Sequence, residues 1–316
     1  MNDKISHPLI SICIPAYNRA DKLKRLLDSI VSQQYENFEV IISDDSSTNV
    51  VESLAKEYVE SLPIIYNRNI PALGTPENWN EAVRRSKGQW IKIMHDDDYF
   101  ATDTALGEFA QATTTSPGAF IFSAYNNENA KGEKVAVYPF SSRLKKIIKT
   151  PVNLWAQNII GPPSVVLYPN DGNFIYDKRM KWLVDIDMYI RRMASSRVIY
   201  LPSTLINVEL GETQVTATVK SDPAVEVPEH FMLLEKVTLA SLKNILVYDY
   251  HWRFIRNFKV NSFNFFYQYG YNGKIIPLYL SMIKWQNKIP FYLLRLGVFS
   301  KMFMLLHFLL HKKMLK

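Results

Sequence analysis

Cysteine is almost absent: Cys13 is the only one in 316 residues, so no disulfide can form within the chain. Its place inside the apolar run Leu9-Ile10-Ser11-Ile12-Cys13-Ile14 reads as a small buried hydrophobe, and a reducing compartment fits that usage. The start, Met1-Asn2-Asp3-Lys4, lacks the basic and then apolar stretch of a secretory signal, which adds to the expectation of a cytoplasmic protein. Long uninterrupted hydrophobic runs are missing too. The most apolar stretch, Ile289 to Leu310, is broken by Arg295, Lys301 and His307, whereas a spanning helix needs about twenty largely uncharged residues. Internal repeats and low-complexity tracts are also missing.

Acidic residues vanish from His251 onward. That tail holds eleven Lys or Arg and no Asp or Glu, leaving 26 basic and 30 acidic groups in the first 250 residues, so the net charge of +7 belongs to the tail. The tail also carries sixteen aromatic residues, a combination that suits a lipid headgroup layer or, by stacking, nucleic acid. Its Leu, Ile and Met stretches favour the lipid and disfavour nucleic acid as partner. Peripheral contact with the inner face of the cell membrane is the expectation, with a helical subdomain packed on the body as the competing reading.

What is present in the first half is a regular alternation. Apolar runs at Leu9–Pro15, Phe38–Ser43, Ile64–Asn67 and Gln89–Met94 are each followed by an amphipathic stretch of about three turns, which predicts an α/β fold with a mainly parallel sheet covered by helices. Further strands are predicted at Ala119–Ala124, Val165–Tyr168 and Val198–Leu201, a hairpin through Lys131-Gly132-Glu133, and a helix over Trp182–Met193. Lys220-Ser221-Asp222-Pro223 reads as a linker, which divides the chain into residues 1–222 and a helical extension over 223–316.

Three polar clusters fall just beyond predicted strands: Asn18-Arg19, Asp44-Asp45 and Asp96-Asp97-Asp98. In open α/β sheets ligands bind beyond the carboxyl ends of the strands, so the coincidence predicts one shared site. Three adjacent carboxylates repel one another unless a cation, a helix N-terminus or hydrogen-bond donors offset them. A hard divalent cation held against a diphosphate meets that need.

The order Pro15-Ala16-Tyr17-Asn18-Arg19, then Ser43-Asp44-Asp45-Ser46, then His95-Asp96-Asp97-Asp98 resembles the family 2 glycosyltransferases of the GT-A fold, a Rossmann-like architecture. The likeness is good over about the first hundred residues and looser to about residue 215; residues 1–98 would form the nucleotide-binding half and 99–222 the acceptor half. The resemblance implies that Pro15 to Arg19, Asp44, Asp45 and Asp96 hold the nucleotide of a sugar donor. It implies that Asp97 and Asp98 bind Mg²⁺ or Mn²⁺ as the DXD motif, with the direct ligand among the three Asp residues left open. Physically, Tyr17 offers a flat face to a nucleobase, and Asp44 or Asp45 can accept the imide or ribose hydrogen bonds of uridine or thymidine.

Inverting transfer needs a base facing the acceptor hydroxyl. Trp182-Leu183-Val184-Asp185-Ile186-Asp187 resembles the family's stretch carrying it; Asp185 aligns with the base, and Val184 stands where a Glu is usual. Asp187 reads as charge complementing the helix N-terminus or as a second acid on the acceptor or donor-sugar side, where Asn78 and Ser164 also fall. The segment Val208 to Thr216 lies where many relatives place a His-containing loop; with no His here, Glu209, Gln214 or Thr216 are the available substitutes.

The expected function is therefore an inverting, metal-dependent transfer of a sugar from a UDP- or dTDP-sugar to a saccharide acceptor, lipid-linked, in bacterial O-antigen, capsule or exopolysaccharide assembly. A nucleotidyltransferase would show a Gly-rich phosphate loop after the first strand, and Pro15-Ala16-Tyr17-Asn18-Arg19 is not one. A catalytically silent nucleotide-sugar-binding or membrane-associated scaffold is the alternative, and the joint presence of Asp97, Asp98 and Asp185 speaks against it.

Overall fold

A computed structural model describes residues 8–172, 175–211, 219 and 221–311. Among them, four strands, β1 (Ile10–Ala16), β2 (Phe38–Asp44), β3 (Ile64–Arg68) and β4 (Trp90–Ile93), pair in parallel in the order β3-β2-β1-β4. Every residue of β1 is buried, as its near-continuous apolar run requires of a strand covered on both faces. The crossover helices are α1 (Ala20–Val31), α2 (Val50–Glu57) and α3 (Glu77–Arg84). In α1, Leu23, Leu26, Leu27 and Ile30 recur at helical spacing and are fully buried, each worth about 1.5–3 kcal/mol.

The second half mixes directions. β5 (Tyr99–Phe100), β6 (Phe120–Glu128), β7 (Lys134–Val137), β8 (Val166–Pro169) and β9 (Val198–Glu209) extend the sheet, whose full order is β3-β2-β1-β4-β8-β6-β9-β5 with β7 on β6. β8 runs antiparallel to both β4 and β6, while β6 and β9 are parallel. Because β8 opposes β4, its beginning lies beside the end of β4. That reversal carries residue 164 to the acidic turn at 95–98. Helix α4 (Ala105–Thr115) covers this half, and α5 (Ser141–Lys149) follows the β6–β7 hairpin.

α6 (Val184–Ser195) leads into β9, and from residue 221 the described residues form helices and their connections. Asp222 caps α7 (Pro223–Val237) by accepting from the Ala224 N–H at 2.9 Å, so the expected linker ends as an N-cap followed by Pro at the first helical position. α8 (Ile245–Asn257), α9 (Asn264–Gln268), α10 (Pro277–Gln286), α11 (Phe291–Arg295) and α12 (Gly297–His311) complete the described extension. It docks on the body: Lys236 pairs with Asp177 and Asp187, and Trp155 stacks edge-on against His251.

Candidate active site

The ends of β1, β2 and β3 are flush: Ala16, Asp44 and Arg68 are register partners, and the ladder continues as the Asp45 N–H donates to Ala16 (3.0 Å) and the Asn69 N–H to Asp44 (2.8 Å). Asn18 takes a left-handed conformation (φ 54°), one that Asn tolerates better than most residues. Its N–H donates to Ser46 Oγ (2.8 Å), and its Oδ1 accepts from the Ser47 N–H (3.2 Å), tying the first turn to the second. Tyr17 beside it projects into solvent, 58% exposed.

Asp44 and Asp45 are buried and already bonded. Asp44 accepts from the Ser46 N–H and from Tyr66 Oη (2.7 Å); Asp45 accepts from Asn69 Nδ2 and from the Leu73 and Gly74 N–H groups, fixing the 69–74 loop. Asn78 is buried against the same loop, donating to the Ala16 carbonyl and accepting from Asn69. Trp79 anchors between His95 and Tyr176, with ring centroids 4.9 and 5.0 Å away.

The three carboxylates after β4 have different partners. Arg19 bonds Asp96 through Nε and a terminal nitrogen, and its other terminal nitrogen reaches Asp97 at 2.8 Å. The Tyr17 N–H also donates to Asp96 (3.2 Å), yet burial pushes that carboxyl up to about 7. Asp98 accepts from the Ser164 hydroxyl and the Glu209 N–H (3.3 Å); burial and the neighbouring Asp97 charge raise it well above the carboxylate range. Glu209 itself is bonded by Lys22 and Arg25, while Gln214 and Thr216 lie outside the described residues.

Ser164 joins the two halves of the sheet. Its Oγ accepts from the His95 N–H (3.0 Å), and its carbonyl accepts from Lys92 Nζ, a fully buried ammonium on β4 that burial pushes down to about 7. His95, Asp97 and Asp98 bring one ligand atom each within 4.8 Å of one another. The His95 Nε2 is buried without a hydrogen-bond partner among the described residues, and burial pushes the imidazole down to about 4, keeping it neutral. One neutral imidazole nitrogen and two carboxylates form a donor set that suits Mn²⁺ and accommodates Mg²⁺ through the oxygens.

Asp185 opens α6. It accepts from the Ile186 N–H (2.8 Å) and from Asn158 Nδ2 (3.2 Å), and burial pushes it up to about 6. Asn158 also braces the turn at Gly161, whose φ of 112° excludes a side chain and whose Cβ position would meet the Tyr125 ring at 2.7 Å. Tyr125 in turn feels the Asp98 charge, and Tyr176, packed on Trp79, feels that of Asp185. Trp79 thus packs between His95 of the acidic turn and Tyr176, and the Gly161 turn lies between Tyr125 and Asn158. Asp187, two residues on from Asp185, is fully buried against Arg191 (2.8 Å) and Lys236 (2.9 Å) as an internal ion pair.

Three contacts escaped the sequence reading, one of them made by Arg19, a residue that reading assigns to the nucleotide. Arg19 clamps Asp96 to Asp97 across 77 residues or more; Lys92 fastens Ser164; and Glu229 of α7, buried, accepts from the N–H groups of Lys181, Trp182 and Leu183 (2.7–2.8 Å) where α6 begins. Only Lys92 left a signal, a charge inside an apolar strand.

The family model described as "Glycosyl transferase family 2" matches residues 11–166. The putative colanic acid biosynthesis glycosyl transferase WcaA of Escherichia coli is 26% identical over 68% of this chain and 78% of its own length. Abequosyltransferase RfbV of Salmonella typhimurium is 39% identical over 30% of each chain. A relative from Mycobacterium tuberculosis is 27% identical, and the alignment spans 66% of its length. Among solved structures, Staphylococcus aureus TarS in complex with UDP-GlcNAc has a TM-score of 0.56 at 16% identity over 72% of this chain and 65% of that one. The mannosyltransferase PcManGT of Pyrobaculum calidifontis, in complex with GDP-Man and Mn²⁺, has a TM-score of 0.54 at 14% identity over 74% and 65%. With three carboxylates at the end of β4 and the mixed sheet behind them, residues 11–166 belong to glycosyl transferase family 2, and the chain carries a GT-A fold.

Proposed function

We propose that this protein transfers a sugar, with inversion, from a nucleotide-sugar donor, UDP- or dTDP-linked, to a saccharide acceptor that is lipid-linked, in bacterial surface-polysaccharide assembly. One observation supports this reading above the rest: His95, Asp97 and Asp98 converge at a sheet edge that Ser164 fastens to the strand leading towards Asp185. The names of the WcaA and RfbV relatives support the polysaccharide setting, and the UDP-GlcNAc bound to TarS supports the donor class.

In this reading the base lies on Tyr17, beside the turn that Asn18 and Ser46 fix, and Asp45 shapes the facing loop. Asp97 and Asp98, with His95, would hold Mn²⁺ or Mg²⁺. That ion supplies Lewis-acid charge for a departing diphosphate. Arg19 keeps Asp96 and Asp97 in place and offsets their charge. Asp185 takes the proton of the acceptor hydroxyl on a carboxylate oxygen, and its raised pKa suits a base working near neutrality. Asn158 orients that carboxylate and Glu229 steadies the helix beneath it.

A thermal-shift screen of UDP-, dTDP- and GDP-sugars with and without Mn²⁺ tests the proposal. One donor class should raise the melting temperature, and only with the ion; no shift with any donor would contradict it.

A further inference from the structure

Helix α12 is turned inside out for a helix in water. Its buried face carries Ser300, Met304 and His307, spaced at i, i+4 and i+7, and two of these are polar. The outward face carries Val298, Met302, Leu305 and Leu309 at the same spacing, 83, 51, 44 and 52% exposed, flanked by Leu306 and Leu310. At about 100° per residue the two rows lie on roughly opposite sides of the helix. The orientation is locked: His307 Nδ1 bonds Tyr248 Oη (2.6 Å), its Nε2 bonds Ser281 Oγ (3.0 Å), and Trp252 Nε1 donates to Ser300 Oγ (3.3 Å). Rotating the helix to hide its apolar row would break all three bonds and expose a buried imidazole.

The patch continues into α11, where Tyr292 and Phe291 are exposed and Lys259 sits 5.3 Å above the Phe291 ring. Exposed Arg295 and Lys301 border it, Lys284 and Lys288 are exposed on and just beyond α10, and no acid occurs from residue 251 to 316. No helix among the described residues is long and apolar enough to cross a membrane. Apolar side chains with aromatic and basic neighbours suit the headgroup boundary of an anionic bilayer, whereas a second copy would set like charges against each other.

We propose that the outward face of α12, with α11, is a docking surface for an anionic lipid bilayer, on which the helix lies in the plane of the headgroups. The inference does not depend on the transfer reaction and is tested without donor. The full chain is sedimented with vesicles of phosphatidylglycerol and phosphatidylethanolamine, and separately with phosphatidylcholine vesicles. Binding should favour the anionic vesicles and weaken with salt. Leu305→Glu with Leu309→Glu should lower partitioning at least about tenfold, and Arg295→Gln with Lys301→Gln about tenfold on anionic vesicles only. Both variants alter exposed side chains, and an unchanged melting temperature shows that they fold. Absence of vesicle binding, binding indifferent to both variants, or a lipid-free dimer that Leu305→Glu with Leu309→Glu dissolves would overturn the proposal.

Discussion

At the sheet edge around residues 95–98 charge is answered from within the molecule. Arg19 bridges Asp96 and Asp97, Ser164 bonds Asp98, and Lys22 and Arg25 hold Glu209. In the helical end beyond residue 251 the reverse holds: basic residues occur with no acid, and a row of Val, Met and Leu faces outward while a histidine is buried. The contrast separates two kinds of surface. A region whose polar groups are held before any ligand arrives is preorganised for charged chemistry, whereas an apolar row kept outward by an internal polar lock is complete only against another apolar phase.

Substitutions that strike one region and spare the other sharpen this comparison, and the largest effect is expected at Asp185. Asp185→Asn should lower turnover by about 10²–10⁴-fold with little change in donor binding, by stopped product assay. Wild-type turnover should fall as pH drops through about 6, where the base takes up its proton. The stability effect has the opposite sign. Between the ordinary carboxylate value of 3.8 and about 6 the folded chain keeps a proton that the unfolded chain has released, so ionisation above about 6 disfavours the fold. Asp185→Asn should therefore raise stability at pH 8 by at most about 3 kcal/mol, a gain that shrinks below pH 6 and is gone below 3.8, as read from denaturant melts.

A smaller and different effect belongs to Glu229. Glu229→Ala leaves three N–H groups at the start of α6 without their acceptor and should lower stability by about 2–4 kcal/mol. Because Glu229 acts through the helix that carries Asp185, kcat should fall more than KM rises. An equal change in both would mean that it supports the fold alone.

The smallest folding effect is expected in the tail. Leu305→Glu with Leu309→Glu should change unfolding free energy by no more than about 0.5 kcal/mol per site, since neither side chain is buried. A large loss of stability would show that the row packs inward, and the contrast between the two regions would fail.

The strands of the first half were legible because each is an apolar run closed by polar residues, and their observed ends fall within one or two positions of those predicted. β9 was not: the predicted strand ends at Leu201, yet the observed one continues through Pro202 to Glu209, with register irregularities opposite Ser123 and Ala124 where the pairing shifts past the proline. The two-residue β5 is too short to show a period. The acidic turn stands out in the sequence as a run of Asp after a strand, and Asp185 is singled out by the resemblance alone. The clamp by Arg19 and the support from Glu229 were not legible, since each joins residues 46 or more positions apart through tertiary contact that no local pattern encodes. The apolar stretch over α12 was visible in sequence, but which of its faces points outward was decided by the His307 bonds.

Calorimetric titration of the donor selected by the screen, with and without Mn²⁺, against the wild type, Asp97→Asn and Asp185→Asn is the most direct test that the sheet edge holds ion and donor while Asp185 acts on the acceptor. The account predicts that Asp97→Asn weakens Mn²⁺-dependent donor binding at least about tenfold, and that Asp185→Asn binds as the wild type does. Undiminished ion-dependent binding by Asp97→Asn, or an equal loss in both variants, would contradict it.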